Sequence, residues 1–591
     1  MRYFATALMT VCVITENYGA ETSDIVIEVE AARIYPVTDP DSSPLQNIPG
    51  LTLRQQGRSN TQTDLSIRGS SFSSSGLILN GLSLRNAQTE HWHGSTALPL
   101  SWLSQGRVIT GLERFRLSAG HPAGSASLSL APVYASEGNL TVGAGDYGTV
   151  FGKAEMTGVE YFETGTAAVS AFLNCNHTDQ TDTYADNYLD RFSTGARLSC
   201  NSEKIRGDIL GTYSESEYGA RGFYGASHAY PAEEKLNDTM IMGSVVFIEE
   251  PDEPASISAV WRQTDDIYTL NRYRPATYRK RHITDFFALH SDRKTILTDF
   301  LLLHARTDIE HETIRSSALG DHKRSRASAA FIPEWQTGRL TLSAGGSVEL
   351  FSTDSDSFLP AAGAEWRFVE NHSLFISYTE ALRQPSYTEL NYESPDSLGN
   401  KGLERQHTRT TEAGHRIETE KQFWKLALFY KRSTDTVDWI KESRKSRWNA
   451  VNLNEIENFG AEVQYAAEIN ETTELSTELL ALLKQYDADY YASRYVLDYP
   501  QFSSTITFMH KLTDNVIIRI TQSFSQYESN AVRKGGNRHV VSSASMQWIP
   551  TFCNKLVLNA GLNNIFDDEF QIYPGQNSLG RAIYSSLRYS W

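Results

Sequence analysis

Three short runs carry side chains able to hold a ligand. His91, Trp92 and His93 are contiguous, so an indole stands between two imidazoles. Such a set can stack on a large planar ligand and offer it a nitrogen. With no third ligand nearby in sequence, the pair of histidines does not read as a zinc site. Asp179, Asp182, Asp186 and Asp190 place four carboxylates in one polar stretch. Oxygen donors at this density suit Ca²⁺, although the spacing is not that of an EF-hand. Phe223, Tyr224 and Tyr230 occupy the next long polar stretch and could also meet a planar ligand. Each set has a plainer alternative: packing for the His/Trp group, a solvated turn for the aspartates, interfacial anchoring for the aromatics. The chain contains no nucleophile elbow, phosphate loop, HExxH motif or carboxylate pair at a defined spacing. The sequence therefore predicts no enzyme. No covalent cofactor is expected.

The elements that must position these residues follow from periodicity. In a soluble protein, 591 residues would make several domains. A large β-barrel escapes that limit because it needs no single solid core. No apolar run reaches the ~18 residues of a membrane helix. Residues 1–20 read as an export signal: Arg2, an apolar core over residues 4–14, then a polar segment ending in Ala20. Cleavage there removes Cys12 and leaves an odd number of cysteines, with no disulfide framework. Residues 21–47 are a polar linker, and residues 48–132 are rich in Gly and Ser with short β-like runs. From residue 137 to Trp591 the texture changes to repeated alternating segments.

The connections between those segments fall into two sets. Short ones lie at 158–165, 202–207, 249–255, 291–295, 336–338, 370–372, 419–422, 469–472 and 512–515. Mostly long, polar ones lie at 176–190, 218–238, 265–279, 313–323, 384–406, 442–454 and 571–580. The sets alternate strictly, as tight turns on one rim of a barrel and long loops on the other would require. The segments number about 22, the size at which a plugged lumen is expected. The expected fold is thus an all-β transmembrane antiparallel barrel with a small N-terminal α/β plug.

Two segments show the dyad pattern. Val169, Ala171, Leu173 and Cys175 share one face, and Phe192, Ala196, Leu198 and Cys200 share the matching face of the next. Both cysteines thus fall on the apolar, lipid-facing side at opposite ends of their hairpin. That separation exceeds the ~7 Å a disulfide tolerates. In the last segment Ile583, Leu587, Tyr589 and Trp591 alternate with Ser586, Arg588 and Ser590. Plentiful Tyr, Phe and Trp suit interfacial girdles, and a net charge of −17 argues against a nucleic-acid partner.

Several motifs now add up. IPGLTLRQQG (48–57), DLSIRG (64–69) and LILNGLSL (77–84) follow one another in the N-terminal part. LRQPSYTELNY (382–392), GNKGLERQHTRTTEAG (399–414), RWNAVNLNEIENFGAEV (447–463) and LNNIFDDEF with LGRAIYSSLRYSW (562–591) follow later. Together they resemble TonB-dependent outer-membrane transporters over nearly the whole mature chain. In that resemblance Asp24, Ile25, Val26, Ile27, Glu28 and Val29 are similar to a TonB box, the strand that pairs with a periplasmic TonB-type coupling protein by strand addition. Gly50, Gly69 and Gly81 would permit turns of the plug. Arg68 follows the plug alternation, and the resemblance implies that it pairs with a wall carboxylate.

Residues 86–100 and 218–235 resemble the cobalamin-receptor branch of the family. The implied function is energy-coupled import of cobalamin or a related corrinoid, with calcium ordering the aspartate loop. A ferric siderophore or haem is the alternative within the class. The stretch from the TonB box to IPG is short, and SAGHPAGSASLSLAP (118–132) departs from the usual plug ending. A shortened plug motivates a second alternative, a barrel that binds at the surface or leaks. The expected surroundings are outer-membrane lipid, and a surface lipoprotein capping the barrel is left open.

Overall fold

The computed structural model describes residue 45 and residues 48–591, apart from 58–60, 94–96, 105, 180–187, 226–229, 249–252, 488–489 and 579. The proposed TonB box at 24–29, Asp182 and Asp186 lie outside the described residues, as does the side chain of His93.

Twenty-two long antiparallel strands close into a barrel. The first, Glu137–Gly145, pairs with the last, Ala582–Ser590, in the register Leu140↔Tyr589 and Val142↔Leu587. No described helix is long and apolar enough to cross a membrane. Side-chain alternation sets the two faces of each strand. Phe172 and Ala168 are buried while Val169 and Leu173 are exposed. Those exposed residues face lipid, so the bilayer and not water covers them. Phe162, Phe247, Phe300, Trp335, Trp366, Trp548 and Trp591 are all exposed beside the short turns. They form an aromatic girdle at that rim. Cys175 pairs with Phe192 and Cys200 with Ala167, so the two cysteines sit far apart on one hairpin, both free and exposed.

One turn is misplaced by sequence reading. Residues 291–295 (SDRKT) belong to the strand Arg279–Thr298, and the chain turns at 299–300 instead. Its Arg293 pairs with Ala255, the partner of the girdle residue Phe247, so this polar stretch lies at the level of the girdle, within the strand. On the loop side strands are longer still. Trp448–Asn470 has 23 residues, about twice what a bilayer needs. Two short strands from the loops, Ser397–Leu398 and Ala492–Ser493, add to this raised wall.

The described plug is mostly β. One sheet joins Leu51–Gln56, Gln62–Ile67 and Trp92–His93. The other runs Leu82–Ser83, Ser75–Leu79, Gly124–Leu128, Arg107–Ile109, and one helix spans Gly111–Leu117. Its apolar core includes Leu65, Leu79, Trp92, Trp102 and Leu128, and continues into wall residues Phe172, Leu210, Met240 and Val260. The plug therefore shares its core with the barrel.

The turn Asn80–Gly81 needs left-handed backbone at both positions (φ +46° and +80°), as a two-residue hairpin of this hand does. A Cβ on Gly81 would come within 2.2 Å of the His290 ring on the wall. Gly81→Val is expected to cost about 1–3 kcal/mol from overpacking plus the unfavourable φ. Limited proteolysis in detergent should show the plug cut faster while the barrel keeps its heat-modifiable gel mobility. Unchanged plug protection would refute the contact.

Candidate functional site

The plug meets the wall through buried charges aimed in both directions. From the plug, Arg68 donates through Nη1 to Glu412 Oε2 at 2.7 Å and through Nε to Glu462 Oε2 at 2.9 Å. Its guanidinium also lies 4.4 Å from the Phe429 ring centroid. Arg68 and Gly69 both have positive φ (+52° and +64°), which swings the side chain out of the strand Gln62–Ile67 toward the wall. Arg85 donates to Glu312 at 2.9 Å, and Arg116 pairs with Glu334 and donates to Ser343 Oγ at 2.9 Å. The Gly50 amide (φ +79°) donates to Glu478 Oε2 at 2.9 Å.

From the wall, three arginines answer. Arg197 is neutralised by Asp208 and donates to the plug carbonyls of Trp102 (3.2 Å) and Ala131 (2.6 Å). Arg262, held by Asp238, donates to Leu84 O at 3.2 Å. Arg306, beside Asp308, donates to Ser118 O at 2.8 Å. Sequence reading missed these wall arginines. Their signal is an arginine in the inward phase of a strand, as Arg197 is between outward Ala196 and Leu198. Buried ion pairs of this kind orient more than they stabilise.

At the external end, loops fold onto the plug apex. His91 Nδ1 lies 2.6 Å from Asp64 Oδ1, and the Tyr573 hydroxyl donates to Asp64 Oδ2 at 2.7 Å. Burial, with Asp64 beside it, pushes the Tyr573 phenol far above its ordinary range, so it remains a donor. The His91 ring stacks on Phe72 at 3.9 Å, and Tyr495 meets Phe72 edge-on at 5.0 Å. Arg54 lies over Tyr573 and Tyr527, at 5.0 and 5.3 Å, and donates to Asp498 O at 3.1 Å. Arg533 grips the Asp498 carboxylate from its own loop at 2.7 and 2.6 Å. Arg494 donates to Tyr224 O at 2.8 Å, linking two loops across the mouth.

The ligand-binding candidates therefore separate. Trp92 packs in the plug core and presents no face to the exterior. His91 is buried and engaged by Asp64. Phe223 is buried against Leu189, Tyr218 and Ala220, whereas Tyr230 is exposed. Tyr224 is half-buried with its hydroxyl 2.9 Å from Glu234. Asp190 and Asp179 lie 2.6 and 3.4 Å from the two nitrogens of His177. Among the described residues no group of three or more His, Cys, Asp or Glu is placed to hold a metal ion.

The loops also carry a charge that the net total hides. Between Ile267 and Thr284 the chain has Arg272, Arg274, Arg279, Lys280 and Arg281 with Tyr273 and Tyr278, and no acidic residue. Arg274, Arg279 and Tyr273 are exposed there. Along the seam below, two cavities between plug and wall have volumes of about 10 and about 20 Å³, room for little more than a water molecule.

Among the solved structures similar to this one are siderophore receptors and an iron transporter. A mutant of the ferric enterobactin receptor PfeA from Pseudomonas aeruginosa is 13% identical, covers 95% of this chain and 97% of its own, and has a TM-score of 0.75. The siderophore receptor PirA from Pseudomonas aeruginosa is 15% identical, with 95% and 98% covered and a TM-score of 0.71. The FrpB iron transporter from Neisseria meningitidis (F3-3 variant) is 13% identical, with 94% and 97% covered and a TM-score of 0.72. No curated protein matches this sequence. The family described as TonB dependent receptor-like, beta-barrel, matches residues 54–565. With that match and the closed, plugged barrel, this chain belongs to the TonB-dependent receptors of the outer membrane.

Proposed function

We propose that this receptor imports an anionic iron chelate, a ferric siderophore, across the outer membrane. The observation that carries this reading is the basic, tyrosine-bearing segment 267–284, which exposes Tyr273, Arg274 and Arg279 at its turn on a chain whose net charge is −17. Exposed arginines and tyrosines near water suit a ligand with several phenolate or carboxylate oxygens around a metal. Cobalamin, implied by residues 86–100 and 218–235, gains less from that charge. The structural relatives named above are a ferric enterobactin receptor, a siderophore receptor and an iron transporter, which supports the same choice. The narrow seam between plug and wall favours a gated importer over a leaking pore.

The purified receptor should bind ferric enterobactin or a simpler ferric catecholate by calorimetry in detergent, with cyanocobalamin and haemin run beside it. Arg274→Ala with Arg279→Ala should weaken the chelate by about tenfold, the loss of one or two exposed charge contacts. Tight cyanocobalamin binding with no response to any ferric chelate would overturn the reading and restore the corrinoid.

A further inference from the structure

The seam cavity of about 20 Å³ is lined by ten residues, among them Arg68, Arg114 and Lys431, and by no carboxylate. Arg68 is already matched by Glu412 and Glu462. The other two cations are not. Arg114 is 5% exposed and spends its hydrogen bonds on carbonyls, Gly120 O at 3.0 Å and Glu380 O at 3.2 Å. Burial, with Arg306 close by and Glu349 only partly offsetting them, pulls its guanidinium down to about 9, the sign of a positive charge incompletely compensated. Lys431 makes no ion pair among the described residues, and the charge that acts on it is another cation, Arg68. Thr379 and Thr410, directly opposed across two wall strands, add a hydroxyl each to the lining.

Two cations without ion pairs and two threonines around a water-sized space leave a buried excess of positive charge, which is costly unless paired. The cavity is too small for a siderophore and large enough for one monatomic ion. We propose that it binds a single small inorganic anion of chloride size, held by Arg114 and Lys431 with the hydroxyls of Thr379 and Thr410. The plug contributes Arg114 from the helix Gly111–Leu117, and the wall contributes the rest. The anion thus bridges plug and barrel on the side where Arg68 docks, and its departure would weaken that seam. Phosphate and sulfate, with four oxygens each, do not fit the volume.

The full-length receptor in detergent tests this directly. Its melting temperature is followed while chloride or bromide replaces gluconate at fixed ionic strength. The wild type is expected to gain roughly 2–4 °C in a saturable way, as a ligand binding only the folded state gives. Lys431→Met and Thr410→Val should lose most of that gain. A halide gain that is absent in the wild type, or equal in the variants, overturns the site. Should a variant fail to fold, bromide-soaked crystals of the wild type decide the matter. An anomalous peak in the cavity supports the proposal, and peaks confined to exposed lysines, an adventitious ion only, reject it.

Discussion

Arg68→Ala is expected to undock the plug and leave the barrel standing. The substitution strands Glu412 and Glu462 together in the lumen. Lys425, 3.8 Å from Glu412, is then the counter-charge left beside them. Breaking one side of a buried ion pair costs about 3–5 kcal/mol, because the remaining charge stays buried without its partner. Arg68 also holds a left-handed backbone at φ +52°, a conformation that costs roughly 1–2 kcal/mol outside glycine. The double carboxylate grip is what sustains it. Planar-bilayer recordings should show frequent channel openings for the variant and quiet membranes for the wild type. Heat-modifiable gel mobility should be unchanged, since the 22 strands close without this residue. Adding Glu412→Gln and Glu462→Gln to Arg68→Met removes all three charges and should restore much of the closure. A closed, wild-type-like Arg68→Ala variant would show that the other seam contacts suffice.

Deleting residues 24–29 (DIVIEV) should abolish energised uptake while leaving ligand affinity intact. The external loops that would meet a ligand lie far along the chain from this segment, so binding has no reason to change. Opening does. The plug is held by Arg68, Arg85 and Arg116 from one side and Arg197, Arg262 and Arg306 from the other. If spontaneous release of this set costs even about 3 kcal/mol, uncoupled passage falls by about 100-fold. Radioactive iron uptake from a ferric siderophore, measured beside equilibrium binding, separates the two effects. Uptake that survives the deletion would remove TonB coupling through this segment, and lost binding would place the segment in folding instead.

The barrel was legible because its physics is local. Outward Val169 and Leu173 and inward Ala168 and Phe172 follow from a period of two, and the lengths of successive connections give the two rims. Where polarity alone was the guide, it misled: residues 291–295 are strand, not a turn. The loop over 487–499 was missed for the opposite reason. Tyr490, Val496 and Leu497 look like strand residues, and they are apolar because the loop folds down and packs on Ile440 and Ile456.

The site was less legible because its contacts are distant in sequence. Arg68 and Glu412 are 344 positions apart, and Tyr573 and Asp64 are 509 apart. No local pattern names such partners. Trp92 shows the same limit. A single indole among polar neighbours suits a ligand platform or a core, and only the surrounding Leu65, Leu79 and Trp102 decide for the core. The basic run 267–284 was readable as charge, but its meaning depended on exposure at the mouth of the barrel.

The pairing of Glu137–Gly145 with Ala582–Ser590 has a consequence for biogenesis. The ring's first strand must wait for a partner more than 400 residues downstream, so every shorter nascent chain carries two open sheet edges. Such edges recruit other strands indiscriminately, and closure over so long a loop is slow. Assembly must therefore be withheld during synthesis and export, by carriers that mask the edges, and released only where lipid and the closing strand are present together.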